Sequence, residues 1–114
     1  MKAFTSIEQS KQLAEILPLE SADMWFANGI VVARDSVDEP DDIKSVIPAW
    51  SLASLLDVLP NKLQIALAIN DFQGDRKEKY SIGSVEHDKY DCFADNPVDA
   101  CYELILKLNK LKLM

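Results

Sequence analysis

Residues 62–69, KLQIALAI, alternate without a break: Leu63, Ile65, Leu67 and Ile69 fall on one side, Gln64, Ala66 and Ala68 on the other. A period of two predicts a β-strand with one apolar face. Such a strand needs sheet neighbours and a second layer to cover that face. Two later segments supply neighbours. Tyr80–Val85 reads as a strand in which Gly83 marks a bulge or a point of close packing, and Lys89–Phe93 reads as a short third strand. The polar stretch 70–79, NDFQGDRKEK, and the turn Glu86-His87-Asp88 connect them.

The cover comes from helices. In DNPVDACYELILKLNKLKLM, Asn96 suits an N-cap, Pro97 the first helical position, and Asp99 the positive helix end. Val98, Cys101, Ile105, Leu108 and Leu111 form its apolar stripe, with Leu104 beside them. Lys107, Lys110 and Lys112 come late, where they answer the helix dipole. In IPAWSLASLLDVLP, residues 47–60, Ser51 caps a helix over 52–58 whose Leu52, Leu55, Leu56 and Leu59 follow the i, i+3, i+4, i+7 spacing. Trp50 and Leu55 then stand at the staple positions that fix how the chain enters the helix, and Pro60 ends it. Near the start, Thr5 and Glu8 fit a capping box opening a helix with Ile7, Leu13, Ala14, Ile16 and Leu17 on its apolar side, stopped by Pro18. Residues 23–33, DMWFANGIVVA, read as a short hairpin turning at Asn28-Gly29 or as one broken strand. RDSVDEPDDIK, residues 34–44, reads as a solvated acidic loop. The sum is an α+β fold: one domain over 1–114, with a small antiparallel sheet of three or more strands and helices packed on one face.

Charge and motifs exclude several functions. The net charge is −7, from 12 basic and 19 acidic residues. That disfavours a phosphate backbone or an anionic membrane surface as partner. No apolar run approaches the ~20 residues of a membrane span. The opening MKAFTSIEQSKQLAEIL has no apolar h-region, so a cytoplasmic protein without a signal peptide is expected. Cys92 and Cys101 are too few for a disulfide framework and read as structural thiols. With His87 they match no zinc spacing. Cys92 also lies ~15 Å from His87 along an extended strand at ~3.3 Å per residue, too far for a catalytic pair. The acidic loop lacks the glycine that a calcium loop turns on, and three glycines in all leave little for a phosphate-cradling loop. No cofactor, metal or catalytic residue is expected.

Four phrases resemble, together and in order, a group of uncharacterised short proteins carried by prophages and other mobile elements of gut Bacteroidetes: TSIEQSKQLAEIL, ESADM at 20–24, IPAWSLASLLDVLP and DNPVDACYELILKL. The resemblance covers most of the chain apart from 27–46 and 70–94. It implies a cytoplasmic accessory protein of a mobile element and no particular chemistry. The segment Asp95–Ala100 is also similar to the tail of antitoxins built from a three-stranded sheet and a final helix.

The expected function is therefore non-enzymatic protein–protein interaction with a host or phage protein, as a monomer or homodimer. The residues expected to carry it are Trp50 if exposed, Tyr80, Tyr90, and the acidic Asp38, Glu39, Asp41 and Asp42. The alternative is a nucleic-acid-binding module of helix–three strands–helix type, which would use the local basic cluster Arg76, Lys77, Lys79 and Lys89. An enzyme would require a cleft gathering polar side chains from distant segments.

Overall fold

The computed structural model describes residues 2–27, 30–33, 46–60, 63–69, 79–85 and 90–113. The fold is α+β: the described residues form two three-stranded antiparallel sheets and three α-helices. The chain divides into two compact units, one of residues 3–58 and the other of residues 59–114 together with Met1 and Lys2.

The first unit holds α1 (Ile7–Ala14), a single 3₁₀ turn (Leu19–Ser21), β1 (Met24–Ala27), β2 (Ile30–Ala33), β3 (Val46–Ala49) and α2 (Leu52–Val58). Its strands run in the order β2-β1-β3. Ala27 stands opposite Ile30 and Met24 opposite Ala33, so the hairpin is the reading of 23–33 that forms. The third strand was not legible: β3 is four residues long and contains Pro48, paired with Trp25. An edge position is where a sheet tolerates a residue with no N–H to donate. Helix α1 packs on β3.

Two expectations for α1 are corrected. The capping box lies one residue later: the Ser6 hydroxyl accepts from the Gln9 N–H, and the Gln9 side chain accepts from the Ser6 N–H. Thr5 cannot cap, because its hydroxyl is buried and already bonded to the Trp50 N–H and to Ser10. The buried side accordingly runs through Ser10, Leu13 and Leu17, while Ile7 and Ala14 are exposed. In α2, Leu55 is fully buried, but Leu56 is 39% exposed and is not the core residue its spacing suggests. A seven-residue helix has room for one buried ridge, and here that ridge runs through Leu55.

The second unit holds β4 (Ile65–Ile69), β5 (Tyr80–Ser84), β6 (Cys92–Ala94) and α3 (Pro97–Lys110). The sheet order is β4-β5-β6, with Leu67 opposite Ile82 and Ile82 opposite Cys92. The alternation of β4 holds from Ile65 to Ala68 and fails at Ile69, which is 67% exposed at the end of the strand. It does not reach back to Leu63, because Gln64 adopts φ 50° and turns the chain. The Ser84 hydroxyl then donates to the Leu63 carbonyl (2.5 Å), and the Val85 N–H to the Gln64 carbonyl (3.0 Å). Of the two readings of Gly83, close packing is what this glycine meets: an added Cβ would lie 2.0 Å from Asp91 Oδ1 and 2.9 Å from Asp91 Cα.

Helix α3 packs on β5 and β6. Asn96 caps it as expected: Asn96 Oδ1 accepts from the Asp99 N–H and its amide donates to the Asp99 carboxylate, both at 2.8 Å. Lys2 forms an ion pair with Asp99, also at 2.8 Å. Val98, Cys101, Leu104, Ile105 and Leu108 are each 0% exposed. Leu111 leaves the stripe at 51% exposed, because the helix ends there. Lys112 adopts φ 59°, its N–H bonds the Asn109 carbonyl, and the Leu113 N–H bonds the Leu108 carbonyl. That pair of bonds is the Schellman ending, in which a left-handed residue recovers carbonyls the helix leaves unpaired. No helix among the described residues is long and apolar enough to cross a membrane.

Candidate functional site

The richest group of polar side chains in the first unit gathers where β1 begins and β3 passes into α2. Asp23 precedes β1, and Ser51 stands between β3 and α2, 28 positions later. The Asp23 carboxylate accepts the Ser51 N–H at 2.9 Å and the Ser51 hydroxyl in a second, shorter bond. Ser51 Oγ also receives the Ser54 N–H at 3.4 Å, so Ser51 caps α2 as its sequence position predicts. Ser54 returns its hydroxyl to the Ser51 carbonyl at 2.9 Å.

Beside this group lies Trp50. It is 0% exposed, and its indole N–H donates to Ser21 Oγ at 3.0 Å. Ser21 Oγ donates in turn to the Pro18 carbonyl. The Trp50 backbone is clasped from the other side. Its N–H donates to Thr5 Oγ1 (3.1 Å), and its carbonyl accepts the Thr5 N–H (3.0 Å). Phe4 bridges to Ser51 and sets its ring edge-on to Phe26, 6.0 Å between centroids. A buried tryptophan needs a partner for its one polar atom, and Ser21 provides it.

These contacts decide what the group can do chemically. A serine becomes a nucleophile when a base holding a free lone pair takes its proton and a third group orients that base. Here the carboxylate itself accepts the serine proton. Burial raises the Asp23 pKa, but the bonds from the Ser51 hydroxyl, the Ser51 N–H and the Ser54 hydroxyl outweigh it. The net effect holds the carboxyl below its ordinary 3.8. A carboxylate stabilised in this way is a poor proton acceptor near neutral pH. The arrangement is a tether joining the start of β1 to the start of α2.

The two cysteines belong to the second unit, and both are free and buried. Burial pushes the Cys101 thiol up to about 12. Burial also raises Cys92, with Lys107 opposing and Glu103 and Asp91 adding to the rise. Cys92 Sγ donates to the Tyr90 carbonyl at 3.6 Å. Thiols held protonated are weak nucleophiles and weak metal ligands. Among the described residues, no group of three or more His, Cys, Asp or Glu side chains is placed to hold a metal ion.

The residues that sequence singles out for partner binding fall in different places. Trp50 is not available as an exposed anchor: it is fully buried in the first unit, with its indole N–H bonded to Ser21. Tyr80 is 7% exposed and faces inward with Ile82 in the second unit, with the Lys79 ammonium 5.7 Å from its ring centroid. Tyr90, also in the second unit, is half-buried. Asp38, Glu39, Asp41 and Asp42 lie outside the described residues, as do His87, Arg76, Lys77 and Lys89. Sequence reasoning missed Asp23 and Ser21, and gave Thr5 a capping role where the structure gives it the clasp on Trp50. The phrase ESAD offers acidic and hydroxyl groups, but their partner, the segment around Trp50 and Ser51, lies too far along the chain for spacing to reveal it. No protein-family model, curated protein or solved structure matches this chain.

Proposed function

We propose that this chain is a non-enzymatic, cytoplasmic accessory protein of a prophage or other mobile element, and that it works by binding a host or phage protein with a basic surface. The observation that carries the reading is the fate of the polar groups with most chemical potential. Asp23, Ser51 and Ser54 spend their donors and acceptors on one another and on the start of α2. Net charge supports the same reading: the chain has 19 acidic residues against 12 basic ones, with Asp38, Glu39, Asp41 and Asp42 the densest acidic stretch in the sequence. Opposite charge on a partner speeds association, and salt weakens that attraction because exposed charges are screened beyond ~8 Å at 0.15 M.

The test is capture of partners from host lysate by the intact protein, at low and high salt, beside the variant D38N/E39Q/D41N/D42N. A basic protein held by the wild type, released by salt and lost with the variant is the expected result. Duplex RNA or DNA bound at physiological salt, and lost on replacing Arg76, Lys77 and Lys79 with Gln, overturns the reading. So does a hydrolytic activity abolished by Ser51→Ala.

A further inference from the structure

We infer that β4 is a self-association edge, at which two copies of this chain pair their β4 strands antiparallel about Leu67. Among the described residues, strand β4 lies at one edge of its sheet, and β5 takes one of its two sides. Ala66, Ala68 and Ile69 are exposed, Ile69 by 67%, and Ile65 and Leu67 are half-buried. The side that is free can be read from the register. Because the Val85 N–H donates to the Gln64 carbonyl, alternation directs the backbone groups of Ala66 and Ala68 toward β5. The N–H and C=O groups of Ile65, Leu67 and Ile69 therefore face the other side, where no described strand pairs.

Open edges are commonly blunted by lysine, proline or a bulge. The residues of β4, IALAI, contain none of the charged or proline blocks. They also read the same in both directions. When two such strands pair antiparallel with Leu67 opposite Leu67 of the second copy, Ile65 meets Ile69, Ala66 meets Ala68, and the pattern repeats across the dyad. A two-fold interface requires this kind of self-complementarity. Charge points to the same strip. Two copies carry −7 each, so they repel wherever acidic surface meets acidic surface. An uncharged strand is where like-charged copies can approach. The pairing would add ~6 backbone hydrogen bonds and cover Ile69. A five-residue edge falls short of the ~800 Å² per partner of a standard stable interface, so the dimer is weak and set by concentration. It neither needs nor supplies the partner bound through acidic surface, and its salt dependence has the opposite sign: salt screens the repulsion between copies and strengthens the pair.

Sedimentation equilibrium of the full chain, from micromolar to millimolar protein and at low and high salt, tests the pairing. The expected result is a monomer–dimer equilibrium that tightens as salt rises. Two double variants at the exposed alanines fix the register. A66K/A68K places lysine opposite lysine on both sides of the central Leu67 pair and weakens the dimer by roughly tenfold, although it lowers the magnitude of each copy's net charge. A66E/A68K places glutamate opposite lysine and restores or exceeds wild-type association. Circular dichroism checks that both variants keep the fold. A wild type that stays monomeric at millimolar concentration overturns the pairing. So does a dimer that both double variants form equally well.

Discussion

The two units reach the same kind of architecture, a three-stranded sheet with helix, by different means. The first is laced by directional polar contacts between residues far apart in sequence: Thr5 with Trp50, Ser21 with Trp50, Asp23 with Ser51. The second relies on α3, whose Val98, Cys101, Leu104, Ile105 and Leu108 are wholly buried. Its polar contacts are of both kinds, local at Asn96 and Asp99 and distant between Lys2 and Asp99 and between Ser84 and Leu63. Directional contacts fail when one atom is removed, and burial fails in proportion to the volume removed. Substitutions should therefore have different signatures in the two units.

The largest effect is expected in the second unit. Ile105→Ala should cost ~2–5 kcal/mol in chemical denaturation, the usual range for an emptied core site. Leu56→Ala, at a site already 39% exposed, should cost under ~1 kcal/mol. Equal losses at the two sites would erase the distinction between core and surface drawn here. Next comes Gly83→Ala. The added methyl meets the Asp91 carboxylate, which can swing aside, and the Asp91 Cα, which cannot move without shifting the chain entering β6. A cost of ~1–3 kcal/mol is expected, as for other overpacked sites. A neutral result would mean that β6 is held less tightly than its register suggests.

In the first unit, Thr5→Val keeps the shape of the side chain and removes its hydroxyl. The buried Trp50 N–H then loses its acceptor and Ser10 loses its partner. A buried donor left without a partner costs ~1–3 kcal/mol. Thr5→Ser, which retains the oxygen, should recover most of the loss. Similar losses for both variants would show that the methyl packing of Thr5, and not the clasp on Trp50, holds this corner.

Legibility in the sequence follows the same division. Helix α3 could be read because its cap, its proline and its stripe all lie within one segment, Asn96 to Leu108. The β4 alternation was legible for the same reason, up to the turn that Gln64 makes. The first sheet was not fully legible. Nothing in the Ile47-Pro48-Ala49 stretch identifies a strand; it becomes one by pairing with β1, which is distant in sequence. The capping of α1 was expected from Thr5 with Glu8, but Ser6 with Gln9 forms the box instead. Trp50, 45 positions away from Thr5, accounts for the shift by claiming the Thr5 hydroxyl. At the candidate site, local spacing placed Trp50 at the entry to α2 but left its exposure open, and nothing in the local sequence set Asp23 apart from the other carboxylates.

Asp23 gives the comparison a dependence on pH. Its folded pKa lies below the ordinary 3.8, so its contribution is present above that value and is lost as pH falls through the folded pKa. Asp23→Asn should remove that acid-sensitive part and cost about 1 kcal/mol at neutral pH, a modest figure for a bond near the surface. Urea titrations of both proteins from pH 7 down to pH 2 should therefore converge at the acid end. A gap that persists undiminished at low pH would show that the tether does not depend on the Asp23 charge.

The smallest effect is a gain, at the end of the second unit. Lys112 holds φ 59° with a full side chain, a conformation glycine adopts without steric cost. Its two neighbouring bonds, Lys112 N–H to Asn109 and Leu113 N–H to Leu108, do not involve the lysine side chain. Lys112→Gly should therefore keep the ending and relieve the strain, raising stability by ~0.5–1 kcal/mol. The gain is limited because glycine also frees the unfolded chain, and because a lysine near the negative helix end contributes a few tenths itself. Lys112→Ala separates these terms: it removes the charge but keeps the Cβ, and should lower stability slightly. If both substitutions destabilise equally, the charge of Lys112 matters more than its backbone, and the end of α3 is held electrostatically rather than by its Schellman bonds.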